Sequence, residues 1–202
     1  MAAQRRGRPR GFDRDAALQA VLREFWEHGY ETTSFADLTQ ATGLASPSLY
    51  AAFGDKESLF EEVVQTYGRT YGDFARRALT DEPTARRAVR RMLREAAVEY
   101  TDPGHPPGCL VITAATNFSS RSAGIAERLR GYRNHNLRDI EAKIQADIDA
   151  GRLPDNTSAR ALAHYSTAVL QGMSQQARDG ATRAELEAIA DTAMAAWPAD
   201  VS

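Results

Sequence analysis

Apolar residues return at three- and four-residue intervals through every long segment of this 202-residue chain, and no segment alternates at period two. Side chains on one helix face recur that way, whereas a half-buried strand would alternate, so an all-α fold is expected. The first helix is bounded by Asp13, a good N-cap, and Gly29, a good stop, with Ala17, Leu18, Val21, Leu22 and Phe25 on its inward face. Ser34 and Asp37 then stand at capping-box spacing ahead of a short helix to about Ala41. Gly43 follows, where a tight bend calls for positive φ. A second short helix takes Ser46 as N-cap and Pro47 as its first residue, where a missing N–H does no harm, and ends near Ala52. Two short helices around so short a turn fit a helix-turn-helix anchored by Phe35, Leu38, Leu44 and Leu49.

Asp55 caps a long helix with Leu59, Phe60, Val63, Val64, Tyr67, Tyr71 and Phe74 on one face. It is expected to reach Leu79 and to link two domains. A helix from Thr84 to about Tyr100 follows, then a loop over 102–108 in which three prolines and two glycines leave nothing regular. Cys109 to Phe118 reads as a short apolar helix with a central place, and Ser122 to Ala150 as another long one closed by Gly151 and Pro154. Two amphipathic helices, about Asn156 to Arg178 and Thr182 to Trp197, complete the chain.

Composition narrows the function. No apolar run exceeds five residues, against about 20 for a transmembrane helix, and no basic-then-apolar leader opens the chain, so a cytoplasmic protein is expected. A single cysteine, Cys109, excludes an internal disulfide and any zinc site built from several cysteines. The net charge of −2 argues against indiscriminate coating of nucleic acid, but its distribution is uneven. Residues 1–12 carry Arg5, Arg6, Arg8 and Arg10 with no acid, a +4 arm on a body of −6. Such an arm fits one local contact with a polyanion, or a solubilising tail. The chain has no glycine-rich phosphate loop of the Walker type, no paired-histidine metal motif and no nucleophile elbow, which leaves an enzyme only an unsupported pairing of Cys109 with His105 or His135. His105 and Cys109 at i,i+4 are too few ligands for a metal, and no cofactor is expected.

The run Thr33-Ser34-Phe35-Ala36-Asp37-Leu38, then Gly43 to Tyr50, then Phe53-Gly54-Asp55-Lys56-Glu57-Ser58-Leu59, resembles the DNA-binding signature of the tetracycline-repressor (TetR) family of bacterial transcriptional regulators. The likeness covers about residues 12–62, with Tyr50, Phe53, Lys56 and Leu59 at fixed offsets after the helix-turn-helix. Thr39 and Ala45 depart from the commonest pattern, which removes any ground for borrowing an operator sequence from relatives. The residues suit the role physically. Ala45, Ser46, Pro47 and Ser48 are small enough for a reading helix to sink into a major groove about 12 Å wide. Tyr50 can offer a hydroxyl to one phosphate and Lys56 can hold another beside a helix N-terminus, while Thr33 is placed to cap a helix or touch a phosphate. Arg6-Gly7-Arg8-Pro9-Arg10 resembles an AT-hook core, whose arginines enter a narrow minor groove.

The resemblance implies a flexible arm over 1–12, a helix-turn-helix domain over 13–56 and a helical ligand-binding and dimerisation domain over 57–202. It further implies a homodimeric repressor released from a pseudo-palindromic operator by a small-molecule effector. Candidate pocket residues are Tyr67, Tyr71, Phe74, Met92, Val98, Cys109, Thr113, Asn117, Phe118, His135, His164 and Tyr165, a mixture that an ordinary core would also contain. Candidate interface stripes are Leu162, Ser166, Val169, Leu170 and Met173 on one helix and Leu186, Ile189, Ala190, Ala193, Met194 and Trp197 on the next, unless they face the monomer's own core. Cys109 is either a small buried hydrophobe or, at a helix start, a thiol open to oxidants and electrophiles.

Overall fold

A computed structural model describes residues 12–114, 119 and 122–199, which form ten helices and, among the described residues, no strand. Helix α1 (Arg14–His28) starts where the Asp13 carboxylate accepts from the Asp15 and Ala16 amides, and it stops at Gly29. In α2 (Phe35–Thr42) the capping box is formed in both directions: Ser34 Oγ accepts from the Asp37 amide at 3.2 Å, and the Asp37 carboxylate accepts from the Ser34 amide at 2.7 Å. Gly43, at φ 67°, turns the chain into α3 (Ser46–Phe53). The start of α3 differs from expectation by one residue. Ala45 is the N-cap, its carbonyl accepting from the Ser48 and Leu49 amides, and Ser46 lies inside the helix without capping it. The first helical amides are unpaired at any start, so Pro47 fixes the boundary only to within a residue.

The expected single helix from Asp55 to Leu79 is two. Helix α4 (Lys56–Arg69) ends at Thr70, whose φ and ψ of −112° and −89° leave the helical region, and α5 (Asp73–Asp81) begins after Gly72. Thr70 Oγ1 donates back to the Thr66 carbonyl, and the Gly72 amide reaches the Tyr67 carbonyl at 2.9 Å, a closure of the Schellman kind. A Cβ on Gly72 would lie 3.0 Å from the Tyr67 ring, so this turn is packed directly on that side chain.

Helix α6 (Ala85–Glu99) is the hub of the body, packing on α5, α8 (Ala123–Asp149), α9 (Ala159–Arg178) and α10 (Arg183–Ala195). It buries Ala88, Val89, Met92, Leu93, Ala96 and Ala97 against them. The short α7 covers only Leu110–Thr113, less than the expected span to Phe118, and Asn117 and Phe118 lie outside the described residues. The stripes expected at a dimer interface belong to the monomer's own core. Leu162, Ser166, Leu170, Met173, Leu186, Ala190, Ala193, Met194 and Trp197 are all buried within one chain, and Val169 and Ile189 pack against that core. A helix whose neighbours lie on one side buries its most apolar stripe there first, and any partner meets what remains.

Candidate nucleic-acid interface and ligand cavity

Helix α3 shows its two faces clearly: Leu49 and Phe53 are buried, while Ala45, Ser46, Pro47, Ser48 and Tyr50 are exposed. The small residues expected to enter a groove are therefore on the open side. Tyr50 stacks on Phe35 of α2, ring centroids 3.9 Å apart and planes 8° off parallel, which fixes its ring while leaving half the residue exposed. Arg14 ties the head together. It forms a two-pronged pair with Glu62 of α4 at 2.6 and 2.7 Å, lies 4.4 Å from the centre of the Phe53 ring and donates to the Ala52 carbonyl at the end of α3. Nothing in the sequence singled it out.

Lys56, the first residue of α4, rests its ammonium 4.3 Å from the centre of the Tyr30 ring. Burial pushes its pKa below the ordinary lysine value, and Glu31 and Asp37 act against that shift. The Asp55 carboxylate takes the Ser58 amide at 2.8 Å, so one of the helix-start donors expected to serve a phosphate is already engaged. Thr33 is corrected outright. It is buried, and its hydroxyl donates to the Gly29 carbonyl at 2.7 Å, which is a packing role, while Ser34 does the capping. Arg6, Arg8 and Arg10 lie outside the described residues.

A cavity of about 250 Å³ opens in the body between α4, α5, α7, α8 and α9. Of the expected pocket residues, Tyr67, Phe74, Cys109 and His135 line it. The others lie elsewhere. Tyr71 packs edge-on against Trp26 and His105, Met92 is fully buried in the α6 core, and Thr113 donates to the Cys109 carbonyl. Tyr165 donates to the Ala193 carbonyl beside a separate groove, and Val98 and His164 are exposed. Sequence reasoning missed Gly72, Arg76, Tyr100, Tyr132, Arg133, Asn136, Thr167 and Gln171 on the cavity wall, and Leu170, assigned to a dimer stripe, lines it too. Tyr132, His135, Asn136 and Asp139 recur at three- and four-residue spacing on α8, so His135 alone could have pointed to its neighbours.

The polar end of the cavity holds Tyr67, Tyr100 and Cys109. Tyr67 and Tyr100 are almost wholly buried, and burial pushes both phenols well above the ordinary tyrosine value. The Tyr67 hydroxyl has no oxygen or nitrogen partner, its neighbour being the weakly accepting Cys109 sulfur. Burial also pushes the Cys109 thiol up, against hydrogen bonds from Tyr67, the Ile112 and Val111 amides and Tyr100. The opposite of the expectation for an exposed helix-start thiol therefore holds here.

Between cavity and head lies the loop over 102–108. Its His105 ring stacks on Trp26 of α1, centroids 4.4 Å apart. Arg178 of α9 donates to the carbonyls of Trp26, Glu27 and Pro107, which joins α1, this loop and the body at one guanidinium. No group of three or more metal-ligating side chains occurs among the described residues, and none of their helices is long and apolar enough to cross a membrane.

Comparison with known proteins agrees with this architecture at both ends of the chain. Residues 17–63 match the family described as bacterial regulatory proteins, tetR family, and residues 85–194 match the tetracyclin repressor-like C-terminal domain. The transcriptional repressor ComR of Escherichia coli K12 is 36% identical over 194 residues, covering 96% of this chain and 92% of that protein. The repressor BdcR of the same organism is 29% identical over 174 residues, covering 86% and 83%. A solved structure of the TetR-family regulator CifR, a cysteine variant in complex with a 26-base-pair operator duplex, superposes with a TM-score of 0.89 at 40% identity, covering 95% of this chain and all of that one. An exposed reading helix on a two-part helical fold, matched along both parts, places the chain in the tetR family of bacterial regulatory proteins, as a DNA-binding transcriptional regulator and not an enzyme.

Proposed function

We propose that the protein is a homodimeric repressor that leaves a pseudo-palindromic operator when a small molecule fills the α4–α9 cavity. One observation carries this reading: α4 holds Lys56 in its first turn, beside the reading helix, and Tyr67 and Gly68 on the cavity wall. Eleven residues of helix, about 16 Å, separate the two sites. A ligand that shifts α4 moves the head with it, and it lowers operator affinity by its preference for the shifted state. Repression accords with ComR and BdcR, both transcriptional repressors, and operator binding with the CifR–operator complex.

Bases are read from Ala45 to Ser48, and phosphates are held by Tyr50 and Lys56, with the arginine arm adding a minor-groove contact. Lys56→Ala should weaken binding to all duplexes alike and reduce the slope of log affinity against log salt by about 1. Fluorescence anisotropy at several salt concentrations measures it, and an unchanged slope would remove Lys56 from the phosphate contacts.

Two half-sites about 34 Å apart need two heads, which favours a dimer. With the apolar stripes of α9 and α10 turned inward, the exposed line Ala161, Tyr165, Ala168 and Gly172 of α9 is left as the face for a second copy. A Cβ on Gly172 meets nothing within 4 Å, so Gly172→Arg leaves the monomer intact. It should convert a dimer into a monomer in light scattering and lower operator affinity at least about tenfold. A variant that remains dimeric would sink this choice of face.

Triggering by oxidation or electrophiles at Cys109 is the less favoured reading. The thiol is on the cavity wall, but its burial and raised pKa keep it protonated at neutral pH, and the thiolate is the nucleophile.

A further inference from the structure

Among the described residues, the wall of the cavity carries Arg76, Arg133, His135 and Asp139 besides its tyrosines and Cys109. Tyr67 and Tyr100 carry hydroxyls that burial keeps protonated, and the Tyr67 hydroxyl lacks an oxygen or nitrogen partner. Arg133 of α8 joins them on the wall. Its guanidinium is partly desolvated and donates once, to the Val111 carbonyl at 3.1 Å. No ion pair to it occurs among the described residues, whereas the neighbouring wall arginine, Arg76, is matched by Asp73 at 2.7 Å. The one carboxylate on the wall, Asp139, sits at the rim, half exposed and 3.4 Å from His135. A cationic ligand would thus meet an unpaired positive charge on the wall, and the cost of burying an unpaired charge would fall on both partners. An anionic oxygen head would complete the set. A phosphate is a poor match, since its second charge would have a single guanidinium free of a carboxylate to answer it.

Resting on the reading of this cavity as the effector site, we infer that the effector is a monocarboxylic acid, its carboxylate held by Arg133 and its apolar body laid along Phe74, Leu79 and Ile112. The guanidinium selects the acid. Charge-assisted bonds of this kind discriminate by about tenfold or more when one partner is removed.

The test uses the full chain with three probes of one length: hexanoate, methyl hexanoate and hexylamine. Calorimetry should show hexanoate binding at least about tenfold more tightly than the ester, with no binding of the amine. Arg133→Met, which keeps the alkyl stem, should remove that advantage and leave the ester unchanged. Hexanoate should also slow maleimide labelling of Cys109 in the wild type and not in Arg133→Met. Equal binding of acid and ester, or an acid affinity untouched by Arg133→Met, overturns the acid assignment and leaves the cavity as a ligand site. If none of the probes binds or protects Cys109, while operator binding is intact, the cavity reading falls and the inference with it.

Discussion

Gly108→Ala should destabilise the folded chain by about 3 kcal/mol and lower its melting temperature by about 6–12 °C. Two costs combine. Gly108 has φ 79°, where a side chain costs about 1–2 kcal/mol. A Cβ there would also lie 2.7 Å from the Ser174 carbonyl oxygen, 2.9 Å from Ser174 Oγ and 3.2 Å from Arg178 Cγ. The first of these atoms is α9 backbone, which cannot swing aside as a side-chain end can. The loop cannot retreat either, because the Gly108 amide donates to the Tyr100 carbonyl at 3.0 Å and the Cys109 amide to Ser174 Oγ at 2.8 Å. Gly151→Ala is the control. Gly151 has a similar φ of 68° and nothing within 4 Å of its would-be Cβ, so it isolates the conformational cost, about 1–2 kcal/mol. Thermal denaturation followed by circular dichroism compares the two, and equal losses would refute the close-contact argument.

The same contact bears on how cavity and head communicate. Ser174 and Arg178 are one turn apart on α9; one fixes the start of α7 at Cys109, and the other holds the last carbonyls of α1. His105 stacks on Trp26 between them. These contacts run from Cys109 to α1 within a few residues, beside the path along α4. The break at Thr70–Gly72 supports this division. Helix α4 belongs with the head at one end and the cavity at the other, while α5 packs on α6.

What was legible in the sequence follows from the range of the interactions involved. Caps and turns act within four residues, so Asp13, the Ser34–Asp37 box, Gly43 and the Asp55 cap could be read directly. The exposed small residues of α3 were equally legible, because a short amphipathic helix has only one side to bury. Thr33 was misread because Ser34 beside it does the capping, and the partner of the Thr33 hydroxyl is a carbonyl of the preceding turn. The break after Arg69 was hidden because Tyr67, Tyr71 and Phe74 keep apolar spacing through it. The dimer stripes failed for a general reason: periodicity finds the buried face of a helix and does not say which chain buries it. Most of the cavity was out of reach, since its walls come from five helices and its defining groups, Arg133 and Tyr100, meet only through the fold.

Asp147→Ala should cost about 3–4 kcal/mol, near the upper range for one side chain, although Asp147 is far from both the head and the cavity. This carboxylate is almost wholly buried near the end of α8 and has two hydrogen-bond donors and an ion pair. The Ala85 amide, at the first turn of α6, donates at 2.6 Å across 62 residues of sequence, and Arg152 donates through Nε at 2.9 Å and forms an ion pair whose Nη2 lies 2.7 Å away. Thr84 caps the same helix at the Arg87 amide, so Asp147 serves a donor that no local side chain reaches. Its removal strands the buried Ala85 amide and leaves Arg152 unpaired. Because Arg152 is about half exposed, water recovers part of its loss, which sets the expectation below the full cost of a broken buried pair. Arg152→Ala should for that reason cost only about 1–2 kcal/mol, and Asp147→Asn, which keeps an acceptor for Ala85, should fall between the two. Urea denaturation of the three variants orders them. A loss for Arg152→Ala as large as that for Asp147→Ala would mean that the ion pair, and not the cross-chain cap on α6, holds α8 to the hub of the body.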